Sequence, residues 1–127
     1  MIRIYGLDEK LSPLRGPMSQ QVHACMMEAL GLPEGKRAHR FIRLQREDFV
    51  VPEGRTDAYT VLEINLIEGR TPETRRRLIK LLFARFESAL GIQPADVEIT
   101  LFESPACNWG FRGQVGDESE LDYKIDV

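Results

Sequence analysis

The sequence predicts an α/β (α+β) fold made by duplicating a β-α-β unit, with four strands in one mixed sheet and two helices on one face of it. Three observations carry this. Glu28-Ala29-Leu30-Gly31-Leu32-Pro33 recurs as Ser88-Ala89-Leu90-Gly91-Ile92-Gln93-Pro94, so the two Leu-Gly pairs stand 60 residues apart. In each copy an apolar-periodic segment closes at Gly, which accepts the left-handed conformation of a helix end, and Pro follows where a helix cannot continue. Each of these segments also has a strand-like run before it and another after it.

In chain order, Ile2-Arg3-Ile4-Tyr5 reads as a strand, Val22, Met26, Ala29 and Leu30 as one helical stripe, and Phe41-Ile42-Arg43-Leu44 as the next strand. Val51-Pro52-Glu53-Gly54-Arg55-Thr56-Asp57 is a polar turn that connects the halves and does not separate domains. Tyr59 to Leu66 is rich in strand formers. Thr71 is placed to cap a helix whose first residue is Pro72, and Leu78, Leu82, Phe86 and Leu90 recur every four residues, with Ile79 and Phe83 widening the stripe. Val97-Glu98-Ile99-Thr100-Leu101-Phe102 alternates as the last main strand. The expectation is a single domain over 1–127, with repeat halves of about 1–50 and 58–105 and a tail over 106–127. Parallel strands within each unit require right-handed crossovers.

Because Val61 and Leu62 are as apolar as Ile64 and Leu66, the sheet face away from the helices is expected to be apolar and to need a second cover. Self-association into a ring-like homo-oligomer would supply one. The tail from Cys107 to Gly116 carries three glycines and two aromatics, Trp109 and Phe111. It reads as a loop whose rings either plug a subunit interface or touch a ligand. The acidic end, Asp117 to Val127, is expected either to form a short edge strand around Tyr123 or to stay mobile.

Composition narrows the function classes. With 127 residues, 43% of them hydrophobic and 29% charged, the chain suits one globular core. No apolar run approaches the ~20 residues of a bilayer-spanning helix, and Met1-Ile2-Arg3-Ile4 lacks a signal-peptide layout, so a cytoplasmic protein with no membrane partner is expected. A net charge of −3 argues against nucleic acid as a partner. Cys25 and Cys107 form no metal-type pattern and are expected to be buried or half-buried thiols. His23 and Cys25, two residues apart on a helix, point to different faces, so no metal site is expected. Arg75, Arg76, Arg77, Lys80 and Arg85 read as the solvated face of the second helix.

Four stretches, in order, carry a resemblance: Leu30 to Glu34, the junction Leu66-Ile67-Glu68-Gly69-Arg70-Thr71-Pro72-Glu73, Gly91-Ile92-Gln93-Pro94-Ala95-Asp96-Val97, and Asn108-Trp109-Gly110-Phe111. Together with the duplicated unit they make nearly the whole chain resemble the tautomerase superfamily, most closely its malonate semialdehyde decarboxylase-like branch. The resemblance implies a homotrimer with no cofactor. It also implies an amino-terminal proline as general base or acid on enols and keto acids, with arginines at the second strand-helix junction holding the substrate carboxylate.

Three positions depart from that pattern. Ile2 stands second, and its bulk is expected to keep Met1 in place, at or just past the family's proline position. Glu68 stands where decarboxylase-like members carry another arginine, and Gly35-Lys36-Arg37 stands where an acid is expected.

The Met1 α-amine, with an ordinary pKa of ~7.7–8, is therefore the candidate base or Schiff-base nucleophile, provided its formyl group has been removed. Arg70 is the candidate carboxylate clamp, at the start of a helix whose dipole assists; otherwise it is a surface arginine paired with Glu68 or Glu73. Lys36 and Arg37 either favour a more anionic ligand or are solvated loop charges. Trp109 and Phe111 complete the candidate substrate site. Two functions follow: an isomerase or lyase with weak or altered tautomerase or decarboxylase activity on a small 2-oxo acid or enol, or a non-catalytic anion-binding or assembly protein that keeps the fold.

Overall fold

The computed structural model describes all 127 residues. Four strands, β1 (Ile2–Leu7), β2 (His39–Leu44), β3 (Thr60–Ile67) and β4 (Val97–Ser104), form one sheet in the order β2-β1-β3-β4. β1 runs parallel to β2, β3 runs parallel to β4, and the two pairs meet antiparallel along β1 and β3, where Ile2 faces Ile64 and Ile4 faces Leu62. The sheet is mixed, as expected. A short α1 (Asp8–Leu11) precedes α2 (Arg15–Leu30), and α3 (Pro72–Leu90) crosses between β3 and β4.

The 60-residue offset runs through the core. Ile2 and Leu62, Ile4 and Ile64, Met18 and Leu78, Val22 and Leu82, and Met26 and Phe86 are all buried, and all ten join one apolar cluster between the helices and the sheet. Both helices end alike. Gly31 and Gly91 take φ of 69° and 68°, where a side chain would be strained, and their N–H groups donate to the carbonyls of Met27 and Glu87. The Thr71 hydroxyl accepts from the Thr74 N–H at 3.2 Å, capping α3. Its basic face is not wholly solvated, since Arg77 and Arg85 both pair with Glu28 of α2 and tie the helices together.

Helix α2 begins seven residues before its apolar stripe, at Arg15. Gly16 and Pro17 disguise its start, yet Pro is harmless in a first turn, where its missing N–H would have no intrahelical partner. The connector is pinned by buried Asp96, which accepts from the Thr56 N–H at 2.8 Å and the Thr56 hydroxyl at 2.5 Å.

The sheet's outer face departs from expectation. Register separates Leu62, Ile64 and Leu66, which are buried, from Val61, Glu63 and Asn65, which are half-buried and point the other way. Arg3, Tyr5 and Arg40 share that outer face, where the Arg3 guanidinium (3.2 Å) and the Tyr5 hydroxyl (2.5 Å) both donate to Glu63. The face is therefore amphipathic, not apolar: consecutive apolar letters in β3 fall on opposite sides.

The tail also differs. Gly110–Phe111 (β5) and Gln114–Val115 (β6) pair as a hairpin around Arg112 and Gly113, both at positive φ. Strands of two residues leave no alternation to read. No edge strand forms at Tyr123; the end of the chain returns instead to the start of α3. Cys107 is exposed, not buried.

Candidate functional site

Strand β1 begins between two neighbours, and that places the Met1 amine. Its N–H donates to the Asn65 carbonyl at 3.4 Å, while the Asn65 N–H donates back to the Met1 carbonyl at 3.0 Å, so β3 holds the first residue in a fixed ladder position. Burial pushes the amine below its ordinary pKa, and the positive charges of Arg40 and then Arg3 push it further. An amine so placed is more often uncharged near neutrality, which is what proton abstraction or carbonyl attack needs.

The two guanidiniums have unequal partners. Arg40 of β2 sits directly opposite Arg3 of β1, and Arg3 sits opposite Glu63 of β3. Like charges across a strand pair repel, and Glu63 is already engaged by Arg3 and Tyr5. Arg40 is exposed and forms no ion pair, so positive charge beside the amine is left uncompensated.

Arg70 lies at the other neighbour of β1. Only 4% of it is exposed, and it donates to the Ile67 carbonyl at 2.9 Å. That carbonyl is two residues along β3 from the one that receives the amine, a spacing of about 7 Å on the same strand edge. Arg70 pairs with neither Glu68 nor Glu73; the Tyr123 ring covers its guanidinium at 5.8 Å, and its Nε is buried without an acceptor. Burial lowers its pKa, partly offset by Tyr123 and Glu103.

Trp109 lines an open cleft of ≈ 330 Å³ together with Asn65, Phe102, Glu103, Ser104 and Asn108, so Asn65 links this aromatic wall to the amine. Phe111 lies in the β5–β6 hairpin, where the Arg112 guanidinium stacks over its ring. Lys36 pairs with Asp122 of the tail at 3.6 Å. Arg37 is exposed and adds positive charge near His39. Arg3, Arg40, Asn65 and Tyr123 were not foreseen as site residues. An Arg one position into a strand that otherwise alternates Ile2, Gly6 and Ile4 inward was the available signal for Arg3; the others depend on register and tail path. No group of three or more His, Cys, Asp or Glu side chains converges in a metal-binding arrangement, and no helix is long and apolar enough to cross a membrane.

His39 sits beside this corner. Its Nδ1 lies 2.8 Å from the Ser19 hydroxyl, and its ring meets buried His23 edge-on at 6.2 Å between centroids. Burial, then the charges of His23, Arg37 and the Met1 amine, push it down to about 4. The unfolded imidazole binds its proton near pH 6.5 and the folded one only near pH 4, so the unfolded chain binds more protons in between. Stability is full above pH 6.5 and falls as pH drops toward 4, by roughly 2–3 kcal/mol. Urea titrations at pH 7 and pH 4.5 check this: His39→Gln should lose much less stability between the two than the unaltered chain.

Comparison with known proteins adds a family. Residues 36–112 match the family model described as "Tautomerase enzyme", a stretch that includes Arg70, Trp109 and Phe111 but begins after Met1. The chain is 26% identical over 99 residues to the probable tautomerase YusQ of Bacillus subtilis (strain 168), covering 74% of this chain and 78% of that protein. It is 36% identical over 53 residues to the probable tautomerase RSp0893 of Ralstonia nicotianae (strain ATCC BAA-1114 / GMI1000), covering 42% of this chain and 76% of that one. Among solved structures, malonate semialdehyde decarboxylase superimposes with a TM-score of 0.82 at 22% identity, over 91% of this chain and 93% of that one. A fused 4-OT asymmetric trimer gives 0.81 at 18% identity, over 92% and 96%.

Proposed function

The chain belongs to the tautomerase family, and from that premise we propose that it interconverts the keto and enol forms of a small 2-oxo acid, with the Met1 α-amine as base. The observation that carries this reading is the amine itself: desolvated, tied to Asn65, and flanked by a guanidinium that has no partner. In ketonisation the free amine takes the hydroxyl proton of the enol and, as the ammonium, returns a proton to the adjacent carbon. The electron pair of the O–H bond forms the carbonyl, and the C=C pair takes the proton. Arg40 is proposed to hold the carboxylate on one side of β1, and Arg70 on the other, with Trp109 and Phe102 forming the apolar wall. Lys36 and Arg37 add positive charge at the approach, and Phe111 lies in the outer hairpin. The assembly proposed for the chain is a homotrimer, which the trimer described for the similarly folded fused 4-OT supports.

The test is ketonisation of the enol of phenylpyruvate, followed by its ultraviolet absorbance, with purified protein whose free Met1 amine has been verified by intact mass. The chain should exceed the buffer rate, and Arg40→Ala should raise KM by about 10- to 100-fold, the range expected for losing a hydrogen bond to a charged group. Equal rates for the chain, the variant and buffer would leave the second reading: a binding or assembly protein that keeps the fold without the chemistry. Coverage of Arg70 by Tyr123 is the observation that favours that alternative.

A further inference from the structure

We infer that the end of the chain, Asp122 to Val127, is a self-inhibitory strap that occupies the anion-binding corner of the site and yields to a carboxylate ligand. This rests on the carboxylate chemistry proposed above. Three positive features bear on anion binding here: Arg70, the first turn of α3 that follows it, and Lys36. Each is engaged by the same six residues. The Tyr123 ring lies over the Arg70 guanidinium at 5.8 Å. The main-chain oxygen of Val127 accepts from the Thr71 N–H at 3.2 Å and from the Thr74 hydroxyl at 2.7 Å, filling the place at the start of α3 where a carboxylate oxygen would sit. Asp122 takes Lys36 at 3.6 Å.

The body of the protein is shaped for this contact. Gly69 takes φ of 145°, and a Cβ there would lie 2.6 Å from the Ile125 carbonyl oxygen, so the junction admits the strap only because it carries no side chain. The fit is nevertheless incomplete. Arg70 Nε is buried and has no acceptor, while Glu103 Oε2, on the neighbouring strand β4, is buried and has no donor. Tyr123 partly offsets the burial of the Arg70 guanidinium but leaves its Nε without an acceptor, whereas a bidentate carboxylate supplies two charge-assisted hydrogen bonds. A ligand carboxylate would give Arg70 Nε the acceptor that the strap leaves it without. The strap is thus a weak occupant of a site built for a stronger one, and it sets the concentration at which the stronger one enters.

Accessibility of Arg70 tests this apart from turnover. Phenylglyoxal modifies exposed arginines, and peptide mass spectrometry reads each position. In the full chain Arg70 should react slowly and Arg40 quickly. In Tyr123→Ala combined with Thr74→Val, which removes the ring and the hydroxyl latch but keeps the Thr74 N–H that caps α3, Arg70 should react at least tenfold faster with Arg40 unchanged. Phenylpyruvate should restore protection of Arg70 in that variant, and its KM should fall severalfold with kcat unchanged. Rapid labelling of Arg70 in the full chain, or equally slow labelling in the variant, overturns the strap. If labelling changes as described while no protein turns over the enol, the strap stands and the proposed catalysis fails; circular dichroism confirms that the variant is folded.

Discussion

Adding a Gly-Ser pair ahead of Met1 lowers ketonisation by about 100-fold or more, although nothing in the sheet or core is altered. The amine of the unaltered chain is held by the Asn65 carbonyl at the head of β1. Two further residues convert that nitrogen into an ordinary amide, which carries no basic lone pair, and move the new amine about 7 Å away along the strand direction. General-base assistance by a positioned group contributes about 10²–10⁴-fold, and no other group of suitable basicity is tied at that position. A retained formyl group has the same consequence. The pH profile carries the sign. Because burial, Arg40 and Arg3 lower the amine's pKa, kcat/KM of the unaltered chain should rise with pH through a midpoint lower than that of an unperturbed amine. An extended chain with an undiminished rate would transfer the base role to another group.

How much of this was readable from the letters depends on how local the cause is. The helix ends at Gly31 and Gly91 were readable because a left-handed cap followed by Pro is a short-range signature, and the cap at Thr71 was readable for the same reason. The strands were readable from residue type, and the mixed sheet followed from two crossovers. The polarity of the outer face was misjudged because Val61 and Leu62 are neighbours in sequence but lie on opposite faces, and only the register with Arg3 and Glu63 shows which partners meet. In the site, Met1 and Arg70 were singled out from the family resemblance. Arg40 was not, because its importance lies in facing Arg3, which stands 37 positions earlier in the chain. Tyr123 was missed because no periodicity governs a tail that follows the surface of its own protein. The glycine at 69 was visible in the junction motif, but its reason, the Ile125 carbonyl, lies 56 residues away.

Phe86→Ala costs about 3–5 kcal/mol of stability, and its counterpart in the first half, Met26→Ala, about 2–5. The 60-residue offset makes these equivalent positions, each on the helix face that meets the sheet and four residues before the terminal Leu. Phe86 is fully buried and Met26 nearly so, and neither is among the residues assigned to the site. They differ in how the hole relaxes. A rigid ring removed from a close-packed cluster leaves a cavity whose size is set by its neighbours, Leu78 and Leu82 among the buried ones on its own helix. A thioether chain is flexible, and the side chains around it are more able to fill the space it leaves. Phe86→Ala should therefore be the more damaging of the two despite their matched positions. Urea unfolding measures both, with midpoints shifting and slopes unchanged if the native state keeps its compactness. Losses below about 1 kcal/mol at both positions would mean that the paired residues do not form one core, and the duplicated architecture would lose its energetic meaning.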